Sequence, residues 1–146
     1  MNGLQPTTVL TVDDNPLMAE AAAGWFGRNS EFRHAGHFLS GEGVLQAVQE
    51  RNVDLVLMDL EMPGTDTFAL VEQIADKCTE CRVLMLSGHC RGNDIMNCLA
   101  SGAKGYVLKH HEPAFILDAV RAVASGESFL CDEAALAVGL PVRPLA

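Results

Sequence analysis

The sequence predicts an α/β fold in which five strands alternate with five helices, the strands running parallel in one sheet covered by helices on both faces. Two observations carry this expectation. Short apolar runs rich in β-branched residues alternate with longer segments of helical periodicity. Strands separated by whole helices cannot close hairpins, so they pair parallel through right-handed crossovers.

Thr8-Val9-Leu10-Thr11-Val12 reads as the first strand and stops abruptly at Asp13-Asp14. Pro16 suits a first helical turn capped by Asn15, with Leu17, Ala21, Gly24 and Trp25 as the expected buried stripe up to Gly27. A weaker strand spans 32–38, and Ser40 is expected to open a helix carrying Val44, Leu45 and Val48. The run from Val53 to Met58 is almost uniformly apolar, as a strand covered on both faces should be, and it stops at Asp59. After the loop 60–64, a helix over 66–77 presents Phe68, Val71 and Ile74. The fourth strand, 82–86, ends at Ser87-Gly88, and the helix 94–101 closes at Gly102. The fifth strand, 106–108, ends at Lys109. Glu112-Pro113 opens the last strong helix, with Ile116, Ala119, Val120 and Val123 inward and Gly126 at its end. The expected organisation is a tail over 1–6, one domain over 7–126 and a linker over 127–146. A short helix at 132–138 and two prolines, Pro141 and Pro144, mark that linker.

A chain of 146 residues, 49% of them hydrophobic, can bury one sizeable core. Its 19 acidic and 10 basic residues leave a formal charge of −9. That balance repels phosphate backbones and anionic lipid, so neither nucleic acid nor membrane is an expected partner of this chain itself. No apolar run reaches the roughly 18 residues of a membrane span, and residues 1–8 lack signal-peptide character. The five cysteines are odd in number and irregularly spaced, as expected of reduced thiols in a cytoplasmic protein.

The residues that end the strands are the chemically informative ones. Asp13-Asp14, Asp59, Ser87 and Lys109 each close a strand, and in an open parallel sheet these ends face one crevice. Converging carboxylates repel one another, and a divalent cation offsets that repulsion. Hard oxygen ligands without His or Cys nearby favour Mg²⁺. An Asp carboxylate can attack phosphorus, a compact Lys ammonium suits a phosphoryl oxygen, and a Ser hydroxyl can donate to another.

The chain resembles the receiver domain of two-component response regulators over about residues 7–126. The residues that carry the resemblance are Val12-Asp13-Asp14-Asn15, the stretch from Met58 to Gly64, Leu86-Ser87-Gly88, and the stretch from Gly102 to Lys109. Residues 102–130 look most like the LuxR-type transcription-factor branch. The resemblance implies a flavodoxin-like (βα)₅ three-layer sandwich with strand order 2-1-3-4-5. It also implies that Asp59 is the phosphoacceptor for a sensor histidine kinase and that the chain catalyses only its own phosphorylation and dephosphorylation. Asp14, Asp59 and the Glu61 backbone carbonyl would hold Mg²⁺, with Asp13 acting through water. Ser87 and Lys109 would read the phosphoryl group, and Tyr106 would change rotamer as Ser87 moves. Phosphorylation would switch a partner surface or a homodimer in transcription control. Members of that branch carry a DNA-binding domain after the receiver, for which the residues up to Ala146 leave no room. The expectation is therefore an excised receiver or a regulator working through protein contacts. Two positions depart from the family pattern: Thr67 replaces a usual Gly, and His110 replaces a usual Pro.

Other readings stand beside this one. Cys78-Thr79-Glu80-Cys81 is a lone Cys-x-x-Cys that follows a helix, the wrong end to stabilise a thiolate, so a redox or zinc role is the weaker alternative. Glu61, two residues beyond Asp59, keeps an aspartate-nucleophile phosphatase in play. A flavin is disfavoured by the acidic first loop. His34 and His37, three apart on a strand, are expected on opposite faces. Without the family resemblance, Tyr106 reads as an ordinary strand residue with a wet hydroxyl.

Overall fold

The computed structural model describes residues 5–142. The elements run β1 (Thr7–Val12), α1 (Pro16–Gly27), β2 (Phe32–Phe38), α2 (Val44–Glu50), β3 (Leu55–Asp59), α3 (Thr67–Lys77), β4 (Arg82–Ser87), α4 (Gly92–Ser101), β5 (Gly105–Leu108), α5 (Pro113–Ala124), β6 (Phe129–Leu130) and α6 (Asp132–Ala137). All strand pairs are parallel, in the order β2-β1-β3-β4-β5-β6. The expected 2-1-3-4-5 order is present, with one strand added at its edge. The helices α2, α3 and α4 pack side by side. Phe26 of α1 and Arg121 of α5 both contact the Phe32 ring, which sets α1 and α5 on the same face of the sheet. The expected tail lies mostly outside the described residues, as does Pro144.

The central strands are buried because they are apolar on both faces: every residue of β3 is buried, and Leu55, Val56, Leu84 and Met85 are fully enclosed. Ile116, Ala119, Val120 and Val123 face the sheet as their spacing predicts. Helix α1 differs from expectation. Leu17 is 71% exposed, and Ala22 and Phe26 carry the buried face instead. Its inner turns are apolar almost all round, so spacing alone does not select a side. Helix α2 begins at Val44 rather than Ser40, because Gly43 adopts φ +79° and the Ser40 hydroxyl accepts the Glu42 N–H in a turn. Helix α4 starts at Gly92, two residues earlier than expected, where a Cβ would lie 3.0 Å from the Ala137 carbonyl of α6.

The added strand β6 is only Phe129–Leu130. The Phe129 N–H donates to the Lys104 carbonyl just before β5, and the N–H of Cys131, just past β6, donates to the Tyr106 carbonyl. A two-residue strand has no periodicity to read. Helix α6 then lies against α4, with Ala134 and Ala135 buried.

One irregularity matters for the site. Between Val9 and Leu10 the β1–β2 register slips, Val9 pairing with His34 and Leu10 with Gly36, so Ala35 is an extra residue. Gly36 has φ +130°, and Arg51 Nη1 donates to the freed Ala35 carbonyl at 2.7 Å. The extra residue restores parity, so His34 and His37 share a face. The expectation that they point apart is corrected by this bulge.

Candidate functional site

The carboxyl ends of β1, β3, β4 and β5 meet at one edge of the sheet. Asp13 and Asp59 are buried there, at 3% and 4% exposure, whereas Asp14 is exposed. Lys109 Nζ lies 2.8 Å from Asp13 Oδ2 and 3.4 Å from Asp59 Oδ1. Asp59 Oδ1 also accepts the Glu61 N–H at 3.3 Å, and Asp13 Oδ1 accepts the Asn15 N–H at 2.9 Å. The turn is built for this: Asn15 caps α1 through the Leu17 N–H, and Pro16 occupies a position that needs no donor. Below it, the Thr67 hydroxyl donates to the Leu60 carbonyl at 2.9 Å, which ties the loop after Asp59 to the start of α3. This contact gives the departure at Thr67 a structural role.

Burial and the neighbouring Asp13 charge push the Asp59 carboxyl above its ordinary range, only partly opposed by Lys109. Burial alone would lower the Lys109 pKa, but its contacts with Asp13 and Asp59 raise it on balance. With no cation present, the folded state therefore binds the Asp59 proton more tightly than the unfolded chain does. Its contribution to stability is fullest below the ordinary carboxyl pKa and is lost as pH rises through the raised one. Asp59→Asn is accordingly expected to stabilise the chelator-treated protein at neutral pH, on the order of 1 kcal/mol. The gain should shrink toward zero at about pH 4, as urea denaturation of both proteins at the two pH values would show.

Asp13, Asp14 and Asp59 each offer an oxygen within 4.8 Å of the others. Buried Asp13 Oδ2 touches the Lys109 ammonium but has no partner of hydrogen-bond geometry. A set of hard oxygens with one under-satisfied buried member fits a small divalent cation such as Mg²⁺.

Ser87 ends β4 fully buried, and its Oγ accepts the His89 N–H at 3.2 Å. Tyr106 is also fully buried, and its hydroxyl donates to the His89 carbonyl at 2.9 Å. The reading of a wet hydroxyl is thereby corrected: desolvation pushes the phenol up to about 12. The His89 ring also reaches across to Glu61, Nε2 to Oε1 at 3.1 Å, with Arg91 and Asp94 alongside. His89 thus links the loops after β3 and β4 over the acidic site. No motif in the sequence points to this role of His89. Its place two residues past Ser87, matching that of Glu61 past Asp59, was the available signal.

The other candidates lie apart or act differently. All five cysteines are free; burial pushes Cys81 and Cys98 to about 12 and Cys131 to about 11. Cys78 caps the carboxyl end of α3, and Cys81 precedes β4, so the pair sits at the far end of that strand from Ser87. His110, His111 and Glu133 cluster beside α6. There the Leu108 N–H donates to His111 Nδ1 at 3.2 Å, which leaves the neutral ring's proton on Nε2, directed at Glu133 Oε2 3.4 Å away. That tautomer has no Nε2 lone pair for a metal, so the trio is a polar clasp between the β5–α5 turn and α6.

The open parallel sheet thus gathers buried Asp13 and Asp59 and the partly exposed Lys109 at its carboxyl edge. A family model, the response regulator receiver domain, matches residues 9–121, and the chain belongs to that family. It is 34% identical over 139 residues to the transcriptional activator protein ExaE of Pseudomonas putida, covering 93% of this chain and 63% of that protein. It is 28% identical over 132 residues to the nitrate/nitrite response regulator protein NarL of Escherichia coli K12, covering 90% and 61%. The chain thus spans about three-fifths of the length of these relatives. Among solved structures, a LuxR-family regulator from Aurantimonas superposes with TM-score 0.85 at 22% identity, over 92% of this chain and 96% of that one. The receiver domain of a NarL from Mycobacterium tuberculosis gives 0.79 at 26%, over 85% and 100%. These likenesses are to LuxR-type receivers.

Proposed function

We propose that this chain accepts one phosphoryl group on Asp59 from the phosphohistidine of a sensor kinase, with Mg²⁺ bound at Asp13, Asp14 and Asp59, and so switches a partner surface. The observation that carries the reading is the contact of partly exposed Lys109 with buried Asp13 and Asp59 at the sheet edge. Glu61 N–H and Lys109 hold Asp59 Oδ1, which leaves Oδ2 to attack phosphorus as the phosphorus–nitrogen bond of the donor breaks. Asp14, Asp59 and the Glu61 carbonyl would ligate the cation directly, with Asp13 acting through water. The cation supplies charge neutralisation for the phosphoryl oxygens and keeps the carboxylates ionised. Lys109 is close enough to Asp59 to follow a phosphoryl oxygen, and the Ser87 hydroxyl would turn from its His89 contact to donate to another.

That turn would couple to the surface through His89, since Ser87 and Tyr106 hold its two backbone groups. Phosphate favours the switched state only through its differential contacts there, with Ser87 and Lys109 as the groups that make them. In this reading residues 7–126 form the receiver, β6 and α6 dock on its edge, and the responding partner is a second copy or an output module.

The phosphatase alternative would turn over phosphate esters; a receiver should not. Incubated with acetyl phosphate and Mg²⁺, the chain is expected to take up at most one acid-stable, base-labile phosphoryl group and to show no sustained hydrolysis of p-nitrophenyl phosphate. Multiple turnovers on the ester would move the assignment to a phosphatase.

A further inference from the structure

A polar chain runs from β2 to the backbone of the acidic turn. Thr11, buried on β1, has its Oγ1 2.7 Å from His37 Nδ1, 3.0 Å from His34 Nε2 and 3.4 Å from the Gly36 carbonyl. His37 Nε2 lies 2.9 Å from the Asp13 carbonyl. A carbonyl only accepts, so His37 Nε2 carries the proton and Nδ1 is an acceptor in the neutral ring. The single Thr11 hydrogen then goes to His37 Nδ1, its shortest contact, and Thr11 Oγ1 accepts from His34 Nε2–H. Each link fixes the direction of the next: His34 to Thr11, Thr11 to His37, His37 to Asp13.

The end of this chain is what gives it consequence. The Asp13 N–H donates to the Phe38 carbonyl at 2.9 Å, so residues 37 and 38 grip the Asp13 backbone on both its N–H and its C=O. The peptide plane from Asp13 to Asp14 sets the direction in which exposed Asp14 leaves the turn. Ligand groups depend on partners that hold their orientation, and losing such a partner weakens metal binding. The arrangement exists only because the bulge at Ala35 brings His34 and His37 to the face of Thr11.

We infer that His37, held by Thr11, is a positioning residue that sets the peptide between Asp13 and Asp14 and thereby the affinity of the site for a divalent cation. The inference rests on the proposed reading of Asp13 and Asp14 as cation ligands. Calorimetric titration of the whole chain with Mg²⁺ tests it, alongside urea unfolding in chelator. His37→Leu and Thr11→Val should each weaken Mg²⁺ roughly tenfold, while His37→Gln, which keeps an N–H donor, should recover most of the loss. Labelling by acetyl phosphate should slow in the Leu variant at limiting Mg²⁺ and return to the parent rate when Mg²⁺ saturates. A merely structural contact would lower the unfolding midpoint and leave the Mg²⁺ affinity of the folded protein alone. Should one variant fail to fold, the other carries the test. Native affinity in the folded variants, with binding still strongly weakened by Asp14→Ala, overturns this inference alone. Parent binding that survives Asp14→Ala overturns the reading of the site and this inference with it.

Discussion

Asp59→Asn is expected to remove phosphorylation by acetyl phosphate, lowering the labelling rate by at least roughly 10³-fold while the protein stays folded. An amide has no charged oxygen to attack phosphorus, and no neighbouring carboxylate is placed to substitute. Asp13 is held against Lys109 and the Asn15 N–H, and Asp14 is exposed at the rim. The variant should not be damaged, because the substitution removes a charge that burial and Asp13 already oppose. Loss of labelling together with unchanged or raised stability is therefore the expected pair of results. Radiolabel uptake and urea denaturation on the same preparations would check both.

Asp14→Ala should weaken Mg²⁺ on the order of 10²-fold and make labelling correspondingly dependent on high Mg²⁺. Asp14 is the exposed member of the three-carboxylate group, so its removal costs the core nothing and relieves repulsion around Asp13 and Asp59. Stability in chelator should change by less than about 0.5 kcal/mol. Calorimetry of Mg²⁺ binding, with labelling measured across a Mg²⁺ series, separates this outcome from that of Asp59→Asn, which no Mg²⁺ concentration should rescue.

The site residues were legible because they occupy strand ends. An apolar run that stops at Asp59 or at Ser87 announces both the strand and the polar group at its carboxyl end, and the parallel sheet gathers those ends without further information. The same rule missed whatever depends on a local departure from regular geometry. His34 and His37 were set apart by strict alternation, which one extra residue at Ala35 undoes; Gly36 was the trace it left in the sequence. The face of α1 was misjudged because its inner turns are apolar nearly all round, and β6 is too short to show a period. Tyr106 looks like any aromatic strand residue until the chain turn at His89 supplies a carbonyl for its hydroxyl. Such partners come from loops that are distant in sequence, where spacing carries no signal.

The most direct test of the account is to locate the phosphoryl group. After labelling with acetyl phosphate and Mg²⁺, borohydride converts an aspartyl phosphate to homoserine, and peptide mass spectrometry identifies the altered residue. The account predicts homoserine at position 59 and nowhere else. Modification at Asp13 or Asp14, or a protein left unmodified at Asp59 under conditions that saturate Mg²⁺, would contradict it.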